Sequence, residues 1–241
     1  MEMFVEHSKI RKRVNRVIAG YPGVGLIGII VAEYIAKNSK ANLIGEVISS
    51  SFKPARAIML EEGIVNIAST KLFYLEHAST IIMYGESQPM NPYTYSTYVL
   101  NLLAKKYKVQ EIIGIGGYSD PNGQEDEIYI YANNKQILDR YRDFAKPGPA
   151  SGNVFGVLAV LPTISQFVNI DGLIVLKTTK ITDGPDIPAA KSVIKRLDEF
   201  FKLGIDYTEI DRMISDIDRI RAQMIEEFQK SENEATKQYI R

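Results

Sequence analysis

The sequence has no cysteine, only two histidines and no net charge, with Lys+Arg and Asp+Glu both totalling 29 in 241 residues. The missing cysteine excludes disulfides, thiol catalysis and thiolate metal sites together. It also suits a cytoplasmic chain, where disulfides are rare. Balanced charge gives no global attraction to nucleic acid or anionic lipid. Long apolar runs are lacking too. The longest, residues 24–32, contains Gly25 and Gly28 and stops at Glu33. That is far short of the roughly 20 residues that span a bilayer. The opening MEMFVEHSKIRKRV has no apolar core of signal-peptide length. These absences predict a cytoplasmic protein that engages neither nucleic acid nor membrane.

What is present is an alternation of strand and helix patterns, with enough hydrophobic content, 45%, for a sizeable core. Residues 16–21 (RVIAGY) read as a strand, 23–37 as a helix apolar nearly all round at its start, and 42–49 as a second strand. Residues 57–60, 64–69 and 71–74 read as short β segments, with Glu62-Gly63 as a hairpin turn. TIIMY at 80–84 and EIIGI at 111–115 are continuous apolar runs, the pattern of strands covered on both faces. Asn91-Pro92 opens a helix that runs to about residue 107 with Tyr95, Tyr98, Val99 and Leu102 as its stripe. A strand at 128–132 follows, then a buried helix at 154–168 interrupted near Pro162, and a strand at 173–177. Asp186-Ile187-Pro188 opens a helix that closes at Gly204.

Residues 206–230 repeat apolar side chains at spacings of three and four, ending in Ile217, Ile220, Met224 and Phe228. The other faces are polar, so this segment reads as a long amphipathic helix. Its distal apolar face predicts packing on the domain or on a neighbouring subunit, hence a homo-oligomer. The whole reads as an α/β protein. A single three-layer domain over 1–204 holds a mixed, mostly parallel sheet flanked by helices. The C-terminal helix covers 205–230 and a flexible tail 231–241.

Gly23-Val24-Gly25-Leu26-Ile27-Gly28 satisfies G-x-G-x-x-G between a strand and a helix, as a dinucleotide-binding turn must. Its context argues otherwise. That fold needs an acid at the end of the second strand, and here Ser49 is followed by Ser50, Ser51 and Phe52, while Glu46 lies inside the strand. Hairpin-like β segments follow where a crossover helix is required. The glycines read instead as permitting a tight turn and close helix–strand packing. Anion binding at the helix N-terminus is the residual alternative.

The segment GYPGVGLIG, Gly20 to Gly28, resembles the opening motif of the proteasome assembly chaperone family, in particular its archaeal and bacterial members, homologous to eukaryotic proteasome assembly chaperone 2. Later motifs follow in the order of that family: Gly85-Glu86 before a tyrosine-bearing helix, GIGG at 114–117, GPASG at 148–152, and PDIPAA at 185–190. The resemblance spans roughly residues 14 to 225. It implies a nucleoside-phosphorylase-like fold, an ATP-independent chaperone role with proteasome subunits as partners, and oligomerisation. Some members end in a hydrophobic–Tyr–any tail that docks between proteasome α subunits. This chain ends Gln238-Tyr239-Ile240-Arg241 and departs from that pattern.

Other residues weigh less. His7, in a terminus that reads as unstructured, and His77 have no metal-ligand spacing around them. Asp120, Glu125, Asp126 and Glu127 form a surface acidic loop without EF-hand spacing. The basic run Arg11-Lys12-Arg13 lacks an accompanying aromatic stacking motif. KPGPASG at 146–152 is no P-loop, and no Gly-x-Ser-x-Gly elbow is present. Glu86 sits where α/β proteins place ligands, at a strand's C-terminal end. A ligand or anion site would therefore join Gly23, Gly25, Gly28, Glu86, Gly148, Ser151 and Gly152. The expectation is a non-enzymatic chaperone without cofactor or metal. The alternative is a small-ligand-binding protein, or a hydrolase- or phosphorylase-like enzyme on the same scaffold.

Overall fold

The computed structural model describes residues 1–10, 12–52, 57–59, 63–119, 126–150 and 152–220. The chain divides into two units, Met1–Ile205 and Asp206–Arg241. Among the described residues of the first, nine strands form one sheet. They are β1 (Glu2–Glu6), β2 (Arg16–Gly20), β3 (Asn42–Ser49), β6 (Thr70–Leu75), β7 (Thr80–Gly85), β8 (Glu111–Ser119), β9 (Ile128–Ala132), β10 (Lys146–Pro147) and β11 (Asp171–Thr179). Their order is β1-β3-β6-β7-β2-β8-β11-β9-β10. A separate two-stranded ribbon joins β4 (Ala57–Met59) to β5 (Val65–Ile67).

The centre of the sheet, β7-β2-β8-β11, is parallel. Its strands are the continuous apolar runs of the sequence, because helices cover both of their faces. On one side lie α1 (Ile27–Asn38) and α5 (Ile187–Phe201), and on the other α2 (Pro92–Leu102) and α4 (Val157–Ile164). Period-two alternation assigns the side chains: Val17 and Ala19 of β2 join the core beneath α2 and α4, while Gly20 faces Gly28 and Ala32 of α1.

Local chemistry sets the helix ends. Asn91 Oδ1 accepts from Thr94 N at 3.0 Å ahead of Pro92. Asp186 Oδ1 accepts from Ala189 N at 3.0 Å ahead of Pro188. Each satisfies one of the N–H groups that a helix start leaves open. After Leu102 the α2 helix widens into a π-type turn, Leu103–Tyr107, and stops at Lys108 with φ 54°. Pro162 lies inside α4, and the carbonyl of Leu158 that its missing N–H cannot engage lies over Gly114 of β8. Gly116 and Gly172 likewise leave room for Leu158 and the Pro162 carbonyl, so three glycines let α4 sit close on β8 and β11.

Four elements depart from the sequence reading. The terminus is structured: β1 pairs antiparallel with β3 from Glu2↔Ser49 to Glu6↔Gly45, and His7 Nε2 meets Glu46 Oε1 at 3.1 Å. Phe4 packs on the core while both ends of the strand are glutamates, which hides an edge strand in the sequence. α3 (Lys135–Arg140), capped by Asn134 at Ile137 N, and the two-residue β10 are too short for periodicity to reveal. The apolar helix expected at 154–168 begins only at Val157 and ends in a tighter turn, Ser165–Val168.

In the second unit residues 208–220 are helical, with Asp206 accepting from Thr208 N and Oγ1 at 2.9 and 2.7 Å. Ile217 is half-buried and Ile220 exposed. Met224 and Phe228, the rest of the expected partner face, lie outside the described residues. No described helix is long and apolar enough to cross a membrane.

Candidate functional site

The chain leaves β2 through Tyr21-Pro22 and turns at Gly23, Val24 and Gly25 into α1. Gly25 (φ 62°) and Leu26 (φ 51°) are both left-handed. For Leu26 that conformation costs about 1–2 kcal/mol, so the surroundings must hold it. They do. Leu26 N donates to Gly23 O at 2.9 Å, and Asp186 N donates to Gly25 O at 2.8 Å. Gly25 is buried beneath residues 181–186. Gly28 lies against the Ile115 carbonyl of β8, and Gly117 lies under the Val24 carbonyl; a Cβ on either would collide with backbone. The turn is thereby pressed onto the end of β8.

Gly23 alone of the three fingerprint glycines is exposed, and it opens on a cavity of about 480 Å³. Its walls come from residues 22–24 after β2, Gln88-Pro89 after β7, residues 117–119 ending β8, residues 153–156 before α4, and Leu158 and Leu176. The cavity therefore stands at the carboxyl ends of the parallel strands. The chain leaves β2 toward one side of the sheet and crosses from β7 to β8 on the other, which is where open α/β sheets form a crevice.

Gln88 braces the walls. Its Nε2 donates to Pro22 O at 2.9 Å and its Oε1 accepts from Val157 N at 3.2 Å. Gly156 (φ 81°) allows this, because a Cβ there would fall 2.8 Å from the Gln88 amide. The sequence pattern points to Glu86, two residues earlier, rather than to Gln88. A neutral amide in a polar segment carries no charge signal. The Pro at 89 and the later Gly156 are the cues it offered.

Of the other expected site residues, the described Gly25, Gly28, Glu86, Gly148 and Gly152 do not line this cavity. Glu86 Oε1 pairs with Lys71 Nζ at 2.8 Å, and Glu86 N donates to Ser69 O at 3.3 Å. Ser69 Oγ in turn donates to Glu46 at 2.6 Å, so Glu86 belongs to a network shared by β3, β6 and β7. Gly148 fits against the Tyr131 ring and donates its N–H to Ile130 O at 3.1 Å. Gly152 is exposed at φ 113°. Ser151 lies outside the described residues, as do Asp120, Glu125 and Arg11. Asp126 meets the buried ammonium of Lys177, and Glu127 meets Lys146 at 3.0 Å. Among the described residues no three His, Asp or Glu side chains converge as a metal site would require.

Behind the cavity wall, Tyr21, Tyr95 and Thr70 share buried hydroxyls: Tyr95 donates to Thr70 at 2.6 Å, and the two phenol oxygens are 3.1 Å apart. Burial pushes the Tyr21 phenol up to about 12 and Tyr95 well above its usual value. Gly85 makes room for the Tyr21 ring.

A second cleft, of about 530 Å³, opens at the opposite end of the strands. Arg16 Nε meets Glu111 at 2.8 Å, Tyr141 donates to the other Glu111 oxygen at 2.7 Å, and Arg140 pairs with Asp171 at 3.0 Å. The Arg16 guanidinium also lies 4.2 Å over the Phe201 ring. Burial, then the Glu111 charge and hydrogen bond, raise the Tyr141 phenol far above its usual range. These groups satisfy one another, which is the arrangement of a structural clamp.

A model of the PAC2 family matches residues 17–226. The chain belongs to the PAC2 family. The match takes in every described wall of the cavity and leaves out β1. An uncharacterized protein of Methanocaldococcus jannaschii is 20% identical over 230 residues, covering 91% of this chain and 85% of its own. Among solved structures, Pyrococcus furiosus PbaB, described as an archaeal proteasome activator, superposes with TM-score 0.83 at 20% identity, over 92% of this chain and 98% of that one. PbaA of the same organism, described as an archaeal homologue of proteasome-assembly chaperone, gives 0.80 at 21% identity, over 99% and 97%. A proteasome-assembly chaperone homologue of Mycobacterium tuberculosis gives 0.67 at 12%, over 89% and 95%. At such identities these neighbours establish the PAC2 fold, a mixed sheet with helices on both faces.

Proposed function

We propose that this PAC2 protein is an ATP-independent, assembly-chaperone-like protein of the cytoplasm that binds proteasome subunits or their assembly intermediates through protein surfaces. The observation that carries the reading is the PAC2 match across residues 17–226, joined to near-full-length likeness to PbaA and PbaB. The site geometry is consistent with a binding role. The best-placed carboxylates, Glu86 and Glu111, are held in ion pairs with Lys71 and Arg16, and the described residues that wall the cavity at the strand ends are uncharged.

The reading includes self-association. The apolar stripe of residues 208–220 continues in sequence through Met224 and Phe228, so the C-terminal helix is the proposed oligomer or partner surface, together with Ile217 and Ile220.

The test is affinity purification from native cells, followed by native mass spectrometry with purified proteasome subunits. Co-purification with α subunits or partial rings is the expected result, and no association with subunits, free or assembled, sinks it. Peptidase assays on finished proteasomes separate an assembly role from the activation ascribed to PbaB.

A further inference from the structure

The two edges of the sheet are finished differently. β10 is two residues long and ends in Pro147, which has no N–H to offer. A short edge strand with a proline discourages further pairing. β1, at the other edge, runs for five residues with neither proline nor bulge. Its inner side is used. Ser50 N donates to Met1 O at 3.0 Å and His7 N to Ile44 O at 2.9 Å, in the register that sets Met3 against Ile48 and Val5 against Glu46. An antiparallel ladder bonds alternate residues. The N–H and C=O groups of Glu2, Phe4 and Glu6 therefore point outward, and among the described residues no strand takes them.

The residue types along β1 read the same in both directions: Glu2, Met3, Phe4, Val5, Glu6. That order suits a two-fold axis through Phe4. A second copy laid antiparallel on this edge sets Phe4 against the partner's Phe4 and Glu2 against the partner's Glu6, all through the outward groups. Met3 then meets the partner's Val5 in the closer, non-hydrogen-bonded pairing, apolar against apolar. Met3 is 45% exposed and Val5 half-buried, both on the face opposite Phe4. Facing glutamates repel, and a cation is already in place for them. Lys106 Nζ lies 3.0 Å from Glu6 and 5.6 Å from the centre of the Phe4 ring. In the paired edge each Lys106 serves its own Glu6 and the partner's Glu2. A foreign strand would need no such symmetry.

We propose that β1 is an interface at which a second copy of this chain adds its own β1, antiparallel about Phe4, joining the two sheets edge to edge. This surface is separate from the C-terminal helix and goes beyond the chaperone reading, on which it does not depend.

Backbone amide hydrogen exchange of the full chain tests it, read residue by residue by NMR from micromolar to near-millimolar concentration. In a lone copy the Glu2, Phe4 and Glu6 amides face water, while those of Met3 and Val5 are held by β3. The expected result is at least tenfold slower exchange at all three, in step with the dimer fraction measured by light scattering. Two double variants fix the register. Met3→Lys with Val5→Lys sets lysine against the partner's lysine and is expected to abolish the protection. Met3→Glu with Val5→Lys sets glutamate against lysine and is expected to keep it. Both carry Val5→Lys beside Glu46, and their melting temperatures show that both are folded. Free exchange of the three amides in the unaltered chain at every concentration overturns the inference. Protection in a particle of single-chain mass overturns it too, because the cover then comes from the same chain. Equal protection in the two variants overturns it as well.

Discussion

The side-chain amide of Gln88 occupies the space that a Cβ on Gly156 would need, 2.8 Å away, and from there it bridges Pro22 and Val157. The two residues make one joint between the β7 and α4 ends of the cavity. Gly156→Ala adds both that contact and a left-handed alanine, and it is expected to destabilise by about 1–3 kcal/mol. Gln88→Ala removes the contact, so the double variant should lose less than the sum. Urea denaturation of the two singles and the double measures this coupling, and strict additivity would contradict it.

The fingerprint glycines should separate. Gly28→Ala drives a Cβ into the Ile115 carbonyl, backbone that cannot move aside, and is expected to cost about 3 kcal/mol or more. Gly23→Ala meets nothing within 4 Å at an extended φ of −167°. It should stay within about 0.5 kcal/mol of the original. A large loss at Gly23 would show a role for that turn that its geometry does not contain.

The clamp at the opposite cleft makes a third expectation. Arg16→Met leaves the nearly buried Glu111 carboxylate without its closest cation, while Tyr141 still donates to it. The loss is expected to be about 3 kcal/mol. Arg16→Met combined with Glu111→Leu should recover much of it. Thermal melts of the single and double variants decide, and no recovery would mean that Arg16 acts through its stacking on Phe201.

Alkaline stability follows from the buried phenols. Tyr21 is raised to about 12 from an ordinary value near 10, and Tyr95 and Tyr141 are raised well above their usual range as well, burial being the main cause in each. Between these values the unfolded chain gives up protons that the folded chain keeps, so stability is full below about pH 10 and falls as pH rises above it. Absorbance at 295 nm should show exposed tyrosines ionising first and the buried ones only on cooperative unfolding. Smooth titration of all 14 tyrosines near pH 10 without unfolding would contradict it.

The central strands and capped helices were legible because one local signal fixed each of them. Ile81 to Tyr84 and Ile112 to Ile115 are buried runs, and Asn91-Pro92 and Asp186-Ile187-Pro188 carry their caps in the sequence. The edge was not legible. The Glu2–Glu6 strand depends on β3, more than thirty residues away, for its hydrogen bonds. The site was half legible for a similar reason. Gly23 announces a turn, whereas the partners that make its cavity, Gln88, Gly117 and Phe155, are assembled from two other strand ends and the segment before α4.

The position of β2 has a consequence for how the chain is made. It lies at the middle of the sheet, yet the neighbours it needs begin only at Thr80 and Glu111. During synthesis an apolar strand with two open edges must wait for most of the first unit to emerge. Pairings so distant in sequence close slowly and leave strand edges open to wrong partners. Refolding of the isolated chain should therefore slow and lose yield as protein concentration rises. The same molecule, once folded, should show its greatest hydrogen-exchange protection at Ile18, the strand that waited longest.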